Sequence, residues 1–280
     1  MEKQRTLETE THIEGVGLHT GNVTRATFKP APEGFGIRFV RLDIPGKPLI
    51  TADVSHVLGI TRGTTIGSGS ARVHTVEHML AACAGLGIDN LEVHLTNNEP
   101  PVLDGSAKPF VELFLKAGIR QQNAPRTCYR LQQPVVYESG GTKITAQPAD
   151  NFSIDCTIGY KHPALAHQQA SFVLSSESFA AEIAPARTFC FDFEIEALKN
   201  KGLAKGGDFS NAIVIGLNGI HNPGKTLRFA DEFVRHKMLD IIGDLYLLGK
   251  PLKAHIITEK PGHVHNINFA KELLKVAIAQ

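Results

Sequence analysis

Two short stretches of the chain concentrate titratable side chains where a helix would otherwise only pack. The first, VHTVEHMLAACAGLG (residues 73–87), sets Glu77 beside His78 ahead of an apolar run, with His74 one helical turn before. The second, RHKMLDIIGDLYLLG (residues 235–249), carries His236, Asp240 and Asp244 at intervals of four. On a helix those three share one face. The remaining positions are mostly apolar, so the helix is buried and its aspartates need partners. An unpaired buried carboxylate is strongly unfavourable or stays protonated. A divalent cation removes that cost, because His-x-x-x-Asp presents one nitrogen and one oxygen to a common point. The alternative is a salt-bridged pair in the core.

Metal chemistry asks for a third ligand and a base. If the two stretches are related copies that meet across an interface, His78 joins His236 and Asp240. Catalytic zinc commonly has three protein ligands and leaves a fourth position for water. Glu77, next to a ligand, then lies near that water as general base. A competing reading takes residues 74–78 as H-x-x-E-H, the inverted zinc-peptidase signature, with His74 as a ligand. It needs a distant glutamate on a supporting helix, for which the sequence offers no convincing candidate. It also leaves His236 and Asp240 unexplained. A third stretch, KPGHVHNIN (residues 260–268), places Pro-Gly before His263. That marks a loop, and a loop histidine is free to act as an acid. His265 is the less favoured neighbour, and His19, in GVGLHTG, is a further loop histidine flanked by glycines.

The elements that must position these residues repeat. TRATFKPAPEGFGI (24–37) resembles TKITAQPADNFSI (142–154), VEHML (76–80) resembles VRHKML (234–239), and FVELFLKAGI (110–119) resembles FAKELLKVAI (269–278). Three matches in one order predict a duplication. The second copy carries about 40 extra residues before its histidine helix, among them PARTFCFDFEIEALKNKGLAKGG, and extra segments on a repeated scaffold tend to carry specificity. NVTRATFKP, KITAQP, NLEVHLT and KAHIIT alternate as half-buried strands. TVEHMLAACAGLG and EFVRHKMLDIIGDLYLLG read as helices. The mixture lacks a strict βαβ rhythm, so the expected class is α+β. A boundary is expected near the polar QQNAPRT (121–127), dividing repeats at 1–124 and 125–280 with an insert near 160–210.

The 280-residue chain has a net charge of +1 with mixed signs, which argues against nucleic-acid binding. Its four cysteines, Cys83, Cys128, Cys156 and Cys190, form no CxxC pair and fit buried thiols in a reducing compartment. The first residues are too charged for a signal peptide, and no apolar run reaches the ~18 residues of a membrane span. A cytoplasmic monomer without stable membrane insertion is expected.

Taken together, GVGLHTG, TVEHMLAACAGLGIDN, PPVLDGSA, ARTFCF, KGGDFSNAIV, LRFADEFVRHKMLDIIGDLYLLG and GHVHN resemble the zinc-dependent UDP-3-O-acyl-N-acetylglucosamine deacetylases of lipid A synthesis, over nearly the whole chain. The resemblance implies two duplicated α+β halves with helices sandwiched between two sheets and the active site at their interface. It implies removal of acetate from the sugar nitrogen of an acylated UDP-sugar. Carried over, His78, His236 and Asp240 hold Zn²⁺, with Fe²⁺ as the alternative ion for a His₂Asp set. Glu77 is the base, His263 the cationic acid, and Asp244 orients His263. Thr188 polarises the carbonyl and Lys237 contacts substrate. Phe189, Phe191 and Gly207 belong to an acyl-chain passage in the insert, with EIEALKNKGL as its helix. Lys260 and His19, and with them Asp104, lie near the sugar or nucleotide. His74 has no role in the family. Some relatives carry a cysteine just before the metal helix, where this chain reads ITRGTTIG (60–67), and some are fused to a dehydratase, which is not expected here. The implied mechanism predicts a bell-shaped rate profile. A non-catalytic sugar or lipid binder and a metallopeptidase are the competing classes.

Overall fold

The computed structural model describes residues 2–162, 165–224 and 226–280. The chain begins with β1 (Lys3–Leu7), β2 (Thr11–Val16), β3 (Val23–Pro30), β4 (Ile37–Arg41) and β5 (Leu49–Thr51). A small sheet follows, of β6 (Val57–Gly59), β7 (Thr65–Ser68) and β8 (Ala71–Val73). Then come α1 (Glu77–Leu86), β9 (Leu91–Leu95), α2 (Lys108–Ala117) and β10 (Ile119–Pro125). The second part runs β11 (Tyr129–Arg130), β12 (Val135–Ser139), β13 (Thr142–Pro148), β14 (Ser153–Ile158) and β15 (Gln168–Val173). Next are α3 (Ser176–Ser178), β16 (Phe189–Phe191), α4 (Asp192–Asn200), β17 (Ile213–Gly216) and β18 (Gly219–Ile220). The chain closes with α5 (Glu232–Tyr246), β19 (Leu252–Glu259), α6 (His263–Val276) and β20 (Ile278–Ala279).

The class is α+β, as expected. One main sheet has the order β2-β3-β9-β4-β5 and the other contains β12-β13-β19-β14-β15. In each, the central strand pairs antiparallel on one side and parallel on the other, and both outer pairs are antiparallel. Each sheet is apolar on one face: Thr24, Ala26 and Phe28 alternate inward on β3, and Leu252, Ala254, Ile256 and Thr258 on β19. The helices lie between these faces. α1 packs on α5, α2 on α1 and β2, and α6 on α5 and β12. One continuous apolar core includes Phe28, Phe110 and Leu80 of the first part and Met238, Ile256 and Phe269 of the second.

Two expectations shift. QQNAPRT is not simply a linker, because most of it lies in β10, whose backbone pairs with β1 and whose half-buried Gln122 bonds Asn90 and the Ala31 carbonyl. The expected insert near 160–210 includes residues 163 and 164, which lie outside the described residues. Within it, β15 belongs to the main sheet, so the elements without a counterpart in that sheet run later, from α3 to β18.

Candidate active site

The site forms where α1 meets α5. Gly243 makes the approach close enough: a Cβ there would stand 2.1 Å from the Glu77 carbonyl oxygen. Glycine inside a helix costs ~1 kcal/mol against alanine, and here the backbone of the neighbouring helix occupies the space a side chain would need. The crossing brings His78, on the first turn of α1, against His236 and Asp240, one turn apart on α5. The rings of His78 and His236 meet edge to face with centroids 5.1 Å apart. His236 Nε2 lies 3.4 Å and His78 Nε2 3.9 Å from Asp240 Oδ1. Ligand atoms of all three residues lie within 4.8 Å of one another, and all three residues are buried.

The chemistry of this set fits a metal ion. His236 Nδ1–H donates to the Ala186 carbonyl at 3.1 Å, which leaves the Nε2 lone pair pointing inward. Burial, and next His236, push the His78 pKa down to about 3; burial also lowers that of His236. Both rings are therefore neutral and able to donate electron pairs. Burial would raise the Asp240 pKa, but Lys237 foremost outweighs it and holds the carboxyl ionised, well below its usual range. Lys237 Nζ donates to Asp240 Oδ2 at 2.8 Å, whereas buried Oδ1 has no hydrogen-bond partner among the described residues. A buried anionic oxygen facing two neutral imidazole nitrogens is a site suited to a divalent cation.

A carboxylate and an imidazole adjoin the set. Glu77 Oε2 accepts from the Thr64 N–H at 2.9 Å, while Oε1 stands 3.8 Å from His263 Nε2. Burial raises the Glu77 pKa to about 7 despite the opposing influence of His263. His263 Nδ1–H donates to Asp244 Oδ2 at 2.8 Å, and its Nε2 is 3.8 Å from Asp240 Oδ2. Burial works against charge on His263, but Asp244 and then Asp240 overcome it and push its pKa up to about 10. Asp244 also accepts from Asn266 Nδ2 at 2.9 Å and from the Thr64 hydroxyl at 2.6 Å.

His263 is not on a loop. It opens α6, immediately after Gly262, where the helix dipole disfavours a cation and Asp244 supplies the compensating charge. His74 stands outside the ligand set. It precedes α1 and bonds Thr65 Oγ1 through Nδ1 at 3.0 Å, so it does not share a helical face with His78, and the H-x-x-E-H reading fails.

Two cavities flank β16, each bounded by Arg62, Phe189 and Cys190. One, of about 310 Å³, is walled by Leu18, Ile195, Leu198, Phe209 and Val214, with Thr188, His19 and Gly207 also on its lining. The other, of about 280 Å³, is lined by Tyr160, Lys161, Phe193 and Lys237. Phe191 faces this second cavity, stacked on Phe193 with centroids 5.4 Å apart, and does not line the first. Lys237 lines the second cavity too, but its ammonium is engaged by Asp240. Lys260 lines neither. It is exposed with φ 53°, and its carbonyl accepts from the Thr142 hydroxyl. His19 is held through its backbone N–H by Glu99, and its ring bridges the Ala204 N–H and the Arg62 carbonyl. Asp104 is tied to Arg228 at 2.8 Å and braces its own loop through Ser106.

Three residues at this site escape sequence reasoning. Thr64 and Glu99 carry no local signal. Asn266 follows His263 by one helical turn, and only placing His263 on a helix reveals that both face Asp244.

A neutral-histidine and aspartate cluster with a carboxylate base and a cationic imidazole around one buried point defines a site for metal-assisted hydrolysis. The comparisons name the particular kind: the chain belongs to the family LpxC: UDP-3-O-acyl N-acetylglycosamine deacetylase, whose model matches residues 4–275. The UDP-3-O-acyl-N-acetylglucosamine deacetylase of Myxococcus xanthus is 44% identical over 97% of this chain and 86% of its own length. That of Teredinibacter turnerae is 45% identical over 98% of this chain and 91% of its own. The bifunctional enzyme LpxC/FabZ of Chlorobaculum tepidum is 43% identical over 98% of this chain, which spans 64% of that longer relative. Among the described residues no helix is long and apolar enough to cross a membrane.

Proposed function

We propose that the chain is a metal-dependent amidohydrolase that removes the N-acetyl group from a UDP-3-O-acyl-N-acetylglucosamine, releasing acetate and the free amine at the committed step of lipid A synthesis. The observation that carries the reading is the convergence of Glu77 Oε1, His263 Nε2 and the His78–His236–Asp240 set on one buried point. When bound to those three residues, a divalent metal, Zn²⁺ or Fe²⁺, supplies Lewis-acid polarisation of the amide and a more acidic water. Glu77 Oε1, left free because Thr64 occupies Oε2, takes a proton from the attacking water. Protonated His263, held by Asp244, faces the developing oxyanion and gives its Nε2 proton to the leaving nitrogen. The rate therefore rises as Glu77 loses its proton and falls as His263 loses its own, giving a bell-shaped profile. Thr188 on the rim of the first cavity assists the carbonyl.

The substrate divides between the cavities. The first, apolar and bounded by Phe189 and Gly207, takes the acyl chain, with His19 toward the sugar. The second has Lys161 beside its aromatic rings, a cation suited to a diphosphate, while Lys237 borders the substrate with its ammonium held on Asp240. The halves 1–124 and 125–280 are duplicates, a reading supported by the matching order and directions of their main sheets. The catalytic unit acts in the cytoplasm as a monomer.

The test measures bound metal per chain and acetate release together. His236→Ala and Asp240→Ala lose both, and His74→Ala keeps its metal. Glu77→Ala keeps its metal and loses turnover by about 10²–10⁴-fold, the usual scale for a general base. Loss of metal in His74→Ala with retention in Asp240→Ala would overturn the site, and loss of metal in Glu77→Ala would overturn the base.

A further inference from the structure

We propose that Thr64 is a positioning residue of this reaction, one that fixes the base Glu77 and, through Asp244, the acid His263 in a single geometry. The inference rests on the deacetylase reading above and concerns a residue that touches neither the ligand set nor the cavities. Thr64 is fully buried, in the segment that joins β6 to β7. Each of its polar groups is committed. Its N–H donates to Glu77 Oε2 at 2.9 Å, its hydroxyl donates to Asp244 Oδ1 at 2.6 Å, and its carbonyl accepts from the Val76 N–H at 3.2 Å. One residue thus joins the base on α1 to the acid's partner on α5.

The division of labour within each carboxylate follows from these bonds. On Glu77, Thr64 occupies one oxygen, so the other is the one that faces His263. On Asp244, His263 and Asn266 share Oδ2, and Thr64 is the hydrogen-bond donor to Oδ1. A carboxylate tied at one oxygen can turn about its Cβ–Cγ bond, whereas one tied at both has a fixed plane. That plane sets the lone pair onto which His263 Nδ1–H is aimed, and with it the direction of Nε2. Removing the hydroxyl leaves a buried anionic oxygen without its donor, a costly state that the carboxylate relieves by rotating.

The experiment compares Thr64→Val, which keeps the β-branched shape and the backbone N–H but loses the hydroxyl, with Thr64→Ser, which keeps the hydroxyl. Thr64→Ala provides a second hydroxyl-free variant should valine impair folding. In Thr64→Val, kcat falls about 10–100-fold, the scale of a lost hydrogen bond to a buried charge, while KM stays within about twofold and bound metal is unchanged. Thr64→Ser recovers kcat to within about threefold of wild type, because the donor is restored. The low-field proton resonance of His263 Nδ1–H, assigned by its loss in His263→Gln, is retained in Thr64→Ser and is shifted or broadened in Thr64→Val. In an Asp244→Ala background, adding Thr64→Val changes kcat by less than about twofold, because the residue it acts through is already gone. Equal activity in the Val and Ser variants, an unmoved His263 resonance, or the same proportional loss in both backgrounds would overturn the proposal. If wild type releases no acetate from the acylated UDP-sugar, the deacetylase reading fails, and the His263 resonance still decides whether Thr64 positions the imidazole.

Discussion

Glu77 anchors one carboxylate oxygen on Thr64 and leaves the other facing His263, and the space around the second is kept by the absence of a side chain. A Cβ at position 63 would lie 2.9 Å from Glu77 Oε1, with Thr75 Oγ1 next nearest at 3.5 Å. The atom in the way is the end of a side chain and not backbone, so the fold can yield by moving the carboxylate. Gly63→Ala is therefore expected to keep its thermal midpoint within about 2 °C of wild type, as a change without a core defect should. Its turnover falls by about 10²-fold, the scale of an ångström-sized misplacement of a catalytic group. Acetate-release kinetics and thermal melts on the same preparation check this; a stable variant with full turnover would mean that Oε1 does not act where the structure puts it. Such dependences are invisible in sequence. His236 and Asp240 are legible because a helical interval puts a nitrogen and an oxygen on one face. Gly63 and Thr64 are not, since one acts through space and the other through a backbone N–H and a lone hydroxyl, and no spacing rule connects them to residues on α1 and α5.

The helices that carry the site are the legible elements. Apolar runs interrupted by charges at helical intervals mark α1 and α5, and alternation marks β3 and β19. What the sequence hides is where irregular pieces change role. Pro-Gly before His263 reads as a loop, yet the helix starts at the next residue. The polar run 121–127 reads as a linker, yet most of it is an edge strand whose pairing lies far off in the chain. Phe189 and Phe191 read as one passage, yet on β16 Phe189 borders both cavities whereas Phe191 lines only the second. The acyl reading makes a specific demand here, because Ala212 and Val214, on β17 and its approach, line the first cavity. Ala212→Phe should raise KM for a long-acyl substrate by about tenfold or more, on the scale of a few methylene groups displaced from an apolar pocket. A short-acyl analogue should be unaffected. Equal effects on both chain lengths would move the acyl chain to another surface.

At the scale of the whole molecule, the ligand set joins two structures that are each complete as a sheet with helices. His78 comes from the part built on β2-β3-β9-β4-β5, and His236 and Asp240 from the part built on β12-β13-β19-β14-β15. The apolar core already runs between these parts, so the metal is not what assembles them. A metal held by this set would be a ligand of the folded state, stabilising it by mass action according to its free concentration over its dissociation constant. Free metal at a thousand times that constant contributes about 4 kcal/mol, which for a chain of this size is about 8 °C in thermal midpoint. Stripping the metal with a chelator should lower the wild-type midpoint by about that amount and returning Zn²⁺ should restore it. Asp240→Ala should melt at the same temperature with or without chelator, whereas His74→Ala should respond as wild type does. A chelator-insensitive wild type would place the cation, if any, outside this crossing. A wild type that unfolds on chelation would mean instead that the neutral rings and the bare Asp240 Oδ1 cannot persist together without it, and that the core between the two parts is weaker than its continuity implies.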